Sequence, residues 1–227
     1  ISLEEFIYYC LFDSEGYYKN IEPLGKSGDF VTAPEVSQLF GEIIGLHIYN
    51  IWEKKINRNF NLIELGPGNG TLMIDILRVT KKFNDFHKYA NINLIKKNKY
   101  LINKQKKNLN TSNFDNLKIS WNSDFELRNN NYSIIIANEF FDCFPVRHFK
   151  KNKGKWKEKY VSYNSIEDKF YYKELFINKS EDLIKLENHK ENDTVELSEK
   201  REAYFKKICQ HISKVSGTII ISDYGYF

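Results

Sequence analysis

A glycine-rich segment at residues 64–70, of sequence ELGPGNG, has the clearest chemical use in the chain. It follows an apolar run typical of a buried strand and precedes a stretch typical of a helix. Gly66, Gly68 and Gly70 let backbone amides approach an anionic group without obstruction by a Cβ atom, and the start of the helix adds a favourable dipole. The segment is therefore predicted to be an anion-binding loop between strand and helix.

The spacing of the glycines distinguishes two kinds of cofactor loop. A dinucleotide loop carries its third glycine one position later, as GxGxxG, whereas this chain has GxGxG with an acid, Glu64, two residues earlier. That form is typical of methyltransferases, in which it holds the methionine carboxylate of S-adenosylmethionine. The predicted cofactor contacts in this segment are Glu64, Gly66, Pro67, Gly68 and Gly70. A purely structural turn is the alternative, and a nicotinamide dehydrogenase is disfavoured by the spacing.

Polar residues follow a second apolar run, at 132–137, and are the candidate catalytic residues: Asn138, Glu139 and Asp142. In doubly wound sheets, ligands bind at the carboxyl ends of the strands, where these residues are expected. Paired acids there would align a substrate for reaction. The alternative is that Glu139 caps a following helix and Asp142 is merely solvated.

The elements that must position these residues follow from periodicity. Short apolar runs at 60–65, 92–95, 117–121, 132–137 and 218–222 predict parallel strands, with helices at 71–79 and 100–108 between the first of them. The predicted fold class is α/β, with a doubly wound, mostly parallel Rossmann-like sheet.

Two further regions complete the predicted organisation. Residues 1–58 are expected to form an N-terminal helical lid segment, with helices at 3–12 and 34–56 and a capping box from Thr32 to Glu35. Ser37 and Gln38 on the second helix are candidate cofactor contacts, or else part of an ordinary helix face. His47 lies on the apolar stripe and is expected in the core. Residues 59–227 form the predicted core, with a β-rich insertion at about 146–196.

Composition excludes several classes of protein. The chain has 34 basic and 30 acidic side chains, and its lysine-rich stretches at 96–107 and 150–159 are interpreted as solvated faces, so no nucleic-acid partner is predicted. Its three cysteines form no CxxC pair, and no metal site is predicted. No apolar run approaches the roughly 20 residues of a membrane span.

Three long motifs, at 28–42, 64–73 and 137–142, resemble the MidA-like methyltransferase family, and the similarity continues at 156–158, 195–198 and 222–226. Mitochondrial members of that family are protein arginine methyltransferases that assist complex I assembly. The resemblance implies a class I methyltransferase fold, S-adenosylmethionine as cofactor and a protein substrate, of which a complex I subunit is one candidate. It implies a cytoplasmic location in a bacterium, or alternatively the mitochondrial matrix.

Two departures from the family pattern bear on function. Lys96 stands where the family has a glutamate that hydrogen-bonds the cofactor ribose, and a lysine cannot accept hydrogen bonds. Asp124 is a candidate partner of the adenine amine, or else a loop aspartate. Family members continue past the motif at 223–225, so further C-terminal strands are expected beyond Phe227. Two alternatives therefore stay open: an assembly factor that binds cofactor without turnover, and a small-molecule methyltransferase with the β-rich insertion as its pocket wall.

Overall fold

The computed structural model describes residues 1–20, 32–83, 85–114, 116–126, 129–177 and 180–225. The first residues of the motif at 28–42, residues 28–31, lie outside the described residues. The described helices are α1 Leu3–Phe12, α2 Tyr17–Asn20, α3 Ala33–Val36, α4 Gln38–Ile51, α5 Thr71–Thr80, α6 Phe86–Tyr89, α7 Lys99–Thr111, α8 Ser180–Leu186 and α9 Glu199–Val215, and a π-helix, Trp52–Ile56, continues α4. The described strands are β1 Phe60–Leu65, β2 Ala90–Ile95, β3 Ile119–Asn122, β4 Tyr132–Asn138, β5 Arg147–Asn152, β6 Lys155–Asn164, β7 Lys169–Phe176, β8 Thr194–Leu197 and β9 Gly217–Ser222.

The chain divides into two compact units. One joins Ile1–Ile21 to Phe144–Tyr204, and the other joins Glu22–Cys143 to Phe205–Phe227. We predicted a single N-terminal segment at residues 1–58, whereas in the structure the first helix belongs to the unit that contains the β-rich insertion. It belongs there because α1 packs on β5 and β6.

The larger unit contains the predicted doubly wound sheet. Its five strands have the order β3-β2-β1-β4-β9, and all its strand pairs are parallel. All six residues of β1 are buried, as expected for a strand covered on both faces. Leu65 pairs with Ile95 on one side and with Ala137 on the other, so the carboxyl ends of the three central strands meet at one edge. The predicted fold class is confirmed.

The packing of α4 differs from the predicted apolar stripe. Its contact with α5 is centred on Gly41 and Gly45, where an added Cβ would lie 2.5 Å from Asp75 Cβ and 2.6 Å from Val79 Cγ1. This close approach turns the helix so that Ile48 is buried. An apolar row of α4 is left exposed, consisting of Leu39, Ile43 and Leu46, and Val36 of α3 is exposed as well. His47 is exposed as well, so its predicted place in the core was wrong.

The capping box predicted at Thr32 and Glu35 was also wrong. Thr32 precedes α3 but makes no side-chain cap hydrogen bond. The helical stretch breaks at Ser37, whose extended backbone separates α3 from α4 and whose hydroxyl accepts a hydrogen bond from the Leu39 amide. The predicted single helix at 34–56 is therefore three consecutive helical pieces.

The smaller unit is built on an antiparallel sheet of order β7-β6-β5-β8. Its buried apolar cluster is Phe149, Trp156 and Leu186. Beside this cluster, Arg147 and Glu158 form a bidentate ion pair with distances of 2.7 and 2.8 Å, and Glu158 is nearly fully buried. A buried carboxylate is tolerated there because its charge is paired and hydrogen-bonded.

No helix among the described residues is both long enough and apolar enough to cross a bilayer.

Candidate functional site

The glycine loop joins the end of β1 to the start of α5. Gly66, Gly68 and Gly70 have φ angles of 64°, 51° and 84°, in the left-handed region that residues with a Cβ rarely adopt. The Gly66 amide donates to the Ile95 carbonyl at 3.1 Å, and the Gly70 amide donates to the Pro67 carbonyl at 2.6 Å. The loop therefore makes a tight turn over the carboxyl end of the sheet, as the glycine spacing predicts.

Helix α7 holds this loop through two side chains. Gln105 is fully buried, and its Nε2 donates to the Gly68 carbonyl at 2.7 Å. Its Oε1 accepts a hydrogen bond of 2.9 Å from Trp121 Nε1 in β3. Three residues further along α7, Asn108 Nδ2 donates to the Asn69 carbonyl at 3.1 Å. The loop conformation is thus fixed by side chains distant from it in sequence.

Glu35 contacts the loop from α3. Its Oε1 accepts hydrogen bonds from Thr71 Oγ1 at 2.7 Å and from Asn69 Nδ2 at 3.2 Å. This explains why Glu35 does not serve as a helix-capping residue. The side chain instead ties α3 to the loop and to the first turn of α5.

Glu64 is a carboxyl group buried in the sheet, one residue before the end of β1. No described residue hydrogen-bonds its Oε2 atom. Burial raises the pKa of Glu64 to about 8, because the charged form loses its hydration. The group therefore holds a proton at neutral pH until a cation or a strong donor approaches it.

The loop after β4 lies directly against the glycine loop. An added Cβ at Gly66 would lie 2.9 Å from the Phe140 ring, so the two loops are in van der Waals contact. Glu139 has a φ of 48°, and its amide donates to the Ser222 carbonyl at 2.8 Å. Bends and turns, and no α-helix, lie between Glu139 and the start of β5, so Glu139 does not act as the helix cap that was its alternative interpretation.

Asp223 organises this second loop from the end of β9. Its Oδ2 accepts hydrogen bonds from the backbone amides of Phe141 at 2.9 Å and Asp142 at 3.2 Å. Asp223 was not among the predicted site residues. Its signal in the sequence was its place directly after a predicted strand, the same position that identified the residues after β4.

The carboxylates of Glu139, Asp142 and Asp223 influence one another. Burial raises the pKa of Glu139, against a hydrogen bond from the Ala33 amide, and both aspartates raise it further. Burial also raises the pKa of Asp142, and Asp223 adds to the shift. Like charges that are partly withdrawn from water favour a bound cation. The arrangement can therefore hold a positively charged group beside the glycine loop.

Lys96 follows β2 directly, at the position of the expected ribose contact. Its amide donates to the Asn122 carbonyl at 2.8 Å. Burial lowers the pKa of its ammonium group, and the neighbouring Cys143 thiol acts in the opposite sense. A largely buried lysine thus lies at this edge of the sheet, and its contact with the cofactor ribose stays a prediction.

The remaining predicted contacts have other partners in the structure. Ser37 Oγ caps α4, and Gln38 Nε2 donates to Glu42 Oε1. Asp124 forms an ion pair of 2.9 Å with Lys207. Partial burial acts to raise the pKa of Asp124, but hydrogen bonds from Lys207 and from a backbone amide outweigh it, and the net shift is downward. A cofactor contact by these three residues stays a prediction.

The residues present fit the cofactor that the glycine spacing implies. Two buried acceptor atoms, Glu64 Oε2 and Asn138 Oδ1, have no hydrogen-bond partner in the described part of the chain. They belong to the neighbouring strands β1 and β4, near the carboxyl edge of the sheet. Such atoms are costly unless a ligand satisfies them, and the ammonium of a methionine moiety is a donor of the right kind. Within the described ranges no cluster of residues suits a metal ion.

Comparison with known proteins identifies the family. Residues 43–227 match the family model described as "Putative S-adenosyl-L-methionine-dependent methyltransferase". The match covers most of the chain, and the chain belongs to this family. This confirms the resemblance and, at the level of the family, the predicted cofactor.

Curated relatives and solved structures agree with this membership. The chain is 31% identical to the mitochondrial protein arginine methyltransferase NDUFAF7 of Bos taurus and 30% identical to that of Homo sapiens, in both cases over 94% of this chain and 53% of the relative. The chain thus spans about half the length of these relatives. A Burkholderia thailandensis crystal structure with bound S-adenosyl-homocysteine superposes with a TM-score of 0.81 at 21% identity, covering 100% of this chain and 58% of that one. The superposition shows the shared fold.

Proposed function

We propose that this chain is the cofactor-binding and substrate-aligning part of an S-adenosylmethionine-dependent protein arginine methyltransferase. The observation that carries the proposal is the gathering of Glu139, Asp142 and Asp223 in the loop region that packs against the glycine loop. Membership of the methyltransferase family supports the cofactor. The names of the curated relatives support the reaction class.

The cofactor-holding residues have separate tasks. The amides around Gly66, Gly68 and Gly70 would hold the methionine carboxylate, since the glycines leave the backbone open to an anion. Glu64 would accept hydrogen bonds from the ammonium group and lose its proton when that cation arrives. When bound, S-adenosylmethionine supplies an electrophilic methyl group.

The acidic residues would align the substrate. A guanidinium group stays charged at all accessible pH values, and carboxylates bind its planar fork through paired hydrogen bonds. Glu139 is the first residue after β4, and the nearby charges of Asp142 and Asp223 raise its pKa. Their task is to restrict one nitrogen to a reactive orientation, because most of the rate in such a transfer comes from alignment.

A finer proposal concerns the substrate and its compartment. The animal relatives are named mitochondrial. On that basis we propose a protein substrate in the mitochondrial matrix, with a subunit of respiratory complex I as the candidate. A bacterial source would place the same reaction in the cytoplasm.

One observation favours a second function. Lys96, largely buried at the ribose position, offers no acceptor to the cofactor. A protein that binds S-adenosylmethionine weakly and serves as an assembly factor without turnover would tolerate such a substitution.

Methyl transfer in cell extract distinguishes these functions. The full-length protein is incubated with S-adenosylmethionine carrying a labelled methyl group and with extract from cells that lack the protein, and the products are analysed by mass spectrometry. Labelled arginine in a protein, formed much more slowly with the Glu139→Gln variant, is the expected result. Label confined to a small molecule would contradict the protein substrate. Cofactor binding without any transferred label would favour the assembly factor.

A further inference from the structure

Strand β7 is an exposed edge strand of the smaller unit. It pairs with β6 on one side, and no other described strand pairs with it. All eight of its residues are exposed. The outer N–H and C=O groups of such a strand are a template on which another extended chain can pair.

One face of the β6–β7 hairpin carries a row of exposed aromatic side chains. Tyr163 pairs with Phe170, and Val161 pairs with Tyr172, so alternate residues of the two strands share this face. The aromatic row consists of Tyr163, Phe170, Tyr172 and Phe176, which are between 55% and 70% exposed. A contiguous row of this kind marks an interaction surface, since aromatic residues are enriched in the centres of protein interfaces.

Lysines on the same face lie above these rings. Lys155 and Lys157 place their Nζ atoms 5.7 and 5.3 Å from the Phe176 ring centroid, and Lys159 Nζ lies 5.0 Å from that of Tyr172. The ammonium groups extend from β6 over β7, towards the open edge. Glu174 of β7 lies on the same face and forms an exposed ion pair with Lys157. The edge is thus electropositive and complements an acidic partner.

A cleft adjoins the aromatic row. Its volume is about 140 Å³, and it is lined by Phe6 of α1 and by Val161, Phe170, Tyr171 and Tyr172 of the hairpin. This apolar lining can receive one apolar side chain. A single anchor in a pocket is a common source of affinity in a small interface.

We propose that β7 is a docking strand for an extended acidic segment of a partner protein. The segment adds to the sheet as a further strand, sets its acidic side chains against Lys155, Lys157 and Lys159, and places an apolar side chain in the cleft. The proposal goes beyond methyl transfer and does not depend on it, because it concerns contacts within the smaller unit alone.

A nucleic acid fits this surface less well. Stacking on aromatic rings among lysines would suit single-stranded bases. However, bases and phosphates leave the open backbone groups of β7 without the regular pairing that a peptide strand provides.

Peptide binding to the whole chain tests the proposal. The probe is a labelled, end-blocked peptide of about eight residues, matching the length of β7, in which glutamate alternates with valine. Fluorescence anisotropy is expected to show saturable binding to the wild type. The double variant Lys155→Glu with Lys159→Glu is expected to bind at least about tenfold more weakly, because two attractive charge pairs become repulsive. The matched control reverses two exposed lysines of α7, Lys99→Glu with Lys107→Glu, and is expected to bind as the wild type.

Two further probes separate the mechanism from simple charge attraction. The same peptide with N-methylated backbone amides keeps its charge but cannot pair with a strand, and it is expected to lose binding. Equal binding of the N-methylated peptide would overturn strand addition. Tighter binding of an oligothymidylate of matched charge would overturn the protein partner. Circular dichroism of each variant confirms that the sheet is retained.

Discussion

Gln105 donates a 2.7 Å hydrogen bond from its fully buried side chain to the carbonyl oxygen of Gly68. Because Trp121 Nε1 in turn donates to Gln105 Oε1, the side-chain amide is fixed at both ends. The glycine loop therefore has its conformation set by α7 and β3. Preorganisation of this kind lowers the conformational entropy that the loop would otherwise lose when a ligand binds.

The Gln105→Leu variant is expected to bind S-adenosylhomocysteine about tenfold more weakly than the wild type. The substitution keeps a side chain of similar size but leaves the Gly68 carbonyl and the Trp121 indole without partners, which also costs about 1–3 kcal/mol of stability. Calorimetry measures the affinity, and thermal unfolding shows whether the variant stays folded. Asn103→Leu, on the exposed side of α7, is the control. Unchanged affinity in a folded Gln105→Leu protein would refute the positioning role.

Ionisation of Glu64 predicts a pH dependence of stability. Its folded pKa is about 8, above the ordinary value of 4.5. The unfolded chain releases this proton at a lower pH than the folded chain. The free energy of unfolding is therefore highest, as far as Glu64 is concerned, below pH 4.5, and it falls as the pH rises from there to about 8. The slope in that window is at most about 1.4 kcal/mol per pH unit. Glu64→Gln should flatten it in thermal unfolding between pH 5 and 8, and an equal slope in both proteins would contradict the assignment.

Glu139 is expected to act on turnover and not on cofactor affinity. In the full-length protein, Glu139→Gln should retain S-adenosylhomocysteine binding while kcat/KM falls on the order of a hundredfold, as when a reacting group is loosely positioned. Burial raises the pKa of Glu139, so this carboxylate takes up a proton at a higher pH than an ordinary glutamate does. As the pH is lowered, the wild-type KM for an arginine peptide should therefore begin to rise at that higher pH. Wild-type turnover in the variant would exclude this role.

Lys96 is expected to weaken recognition of the cofactor ribose. Lys96→Glu supplies an acceptor at the end of β2 and should tighten S-adenosylhomocysteine binding by about 1 kcal/mol, the net value of a hydrogen bond. Lys97→Glu, one residue further and exposed, controls for the change in charge. Weaker binding in Lys96→Glu alone would mean that another group already serves the ribose and that the lysine has a role of its own.

The sequence predicted the parts of the structure that depend on local pattern. Strand β1 and the start of α5 lie where the apolar run and the glycines placed them, because buried strands and left-handed glycines have signals within a few residues. The doubly wound fold class then predicted that the residues following these strands lie at the carboxyl edge of the sheet. The residues after β4 consequently lie against the glycine loop, as the fold class requires.

Contacts between distant segments could not be predicted in this way. Glu35 reaches Thr71, and Asp223 reaches Phe141, across long separations in sequence, so no local spacing indicates either pair. The exposure of Leu39, Ile43 and Leu46 on α4 could not be predicted either, because it also depends on a contact between distant segments. Apolar periodicity shows that a helix is amphipathic, but the close packing at Gly41 decides which side faces α5.

Binding of the cofactor at the glycine loop is tested most directly by calorimetry of S-adenosylhomocysteine with the Gly68→Val variant. Gly68 has a φ of 51°, which a β-branched residue does not adopt without strain, and the side chain would obstruct the backbone amides. Gly154→Val is the matched control, because Gly154 also has a positive φ, of 71°, but lies in the β5–β6 turn with open space around it. We expect binding by the wild type and by Gly154→Val, and none by Gly68→Val. Unchanged affinity in a folded Gly68→Val protein would contradict a cofactor site at this loop.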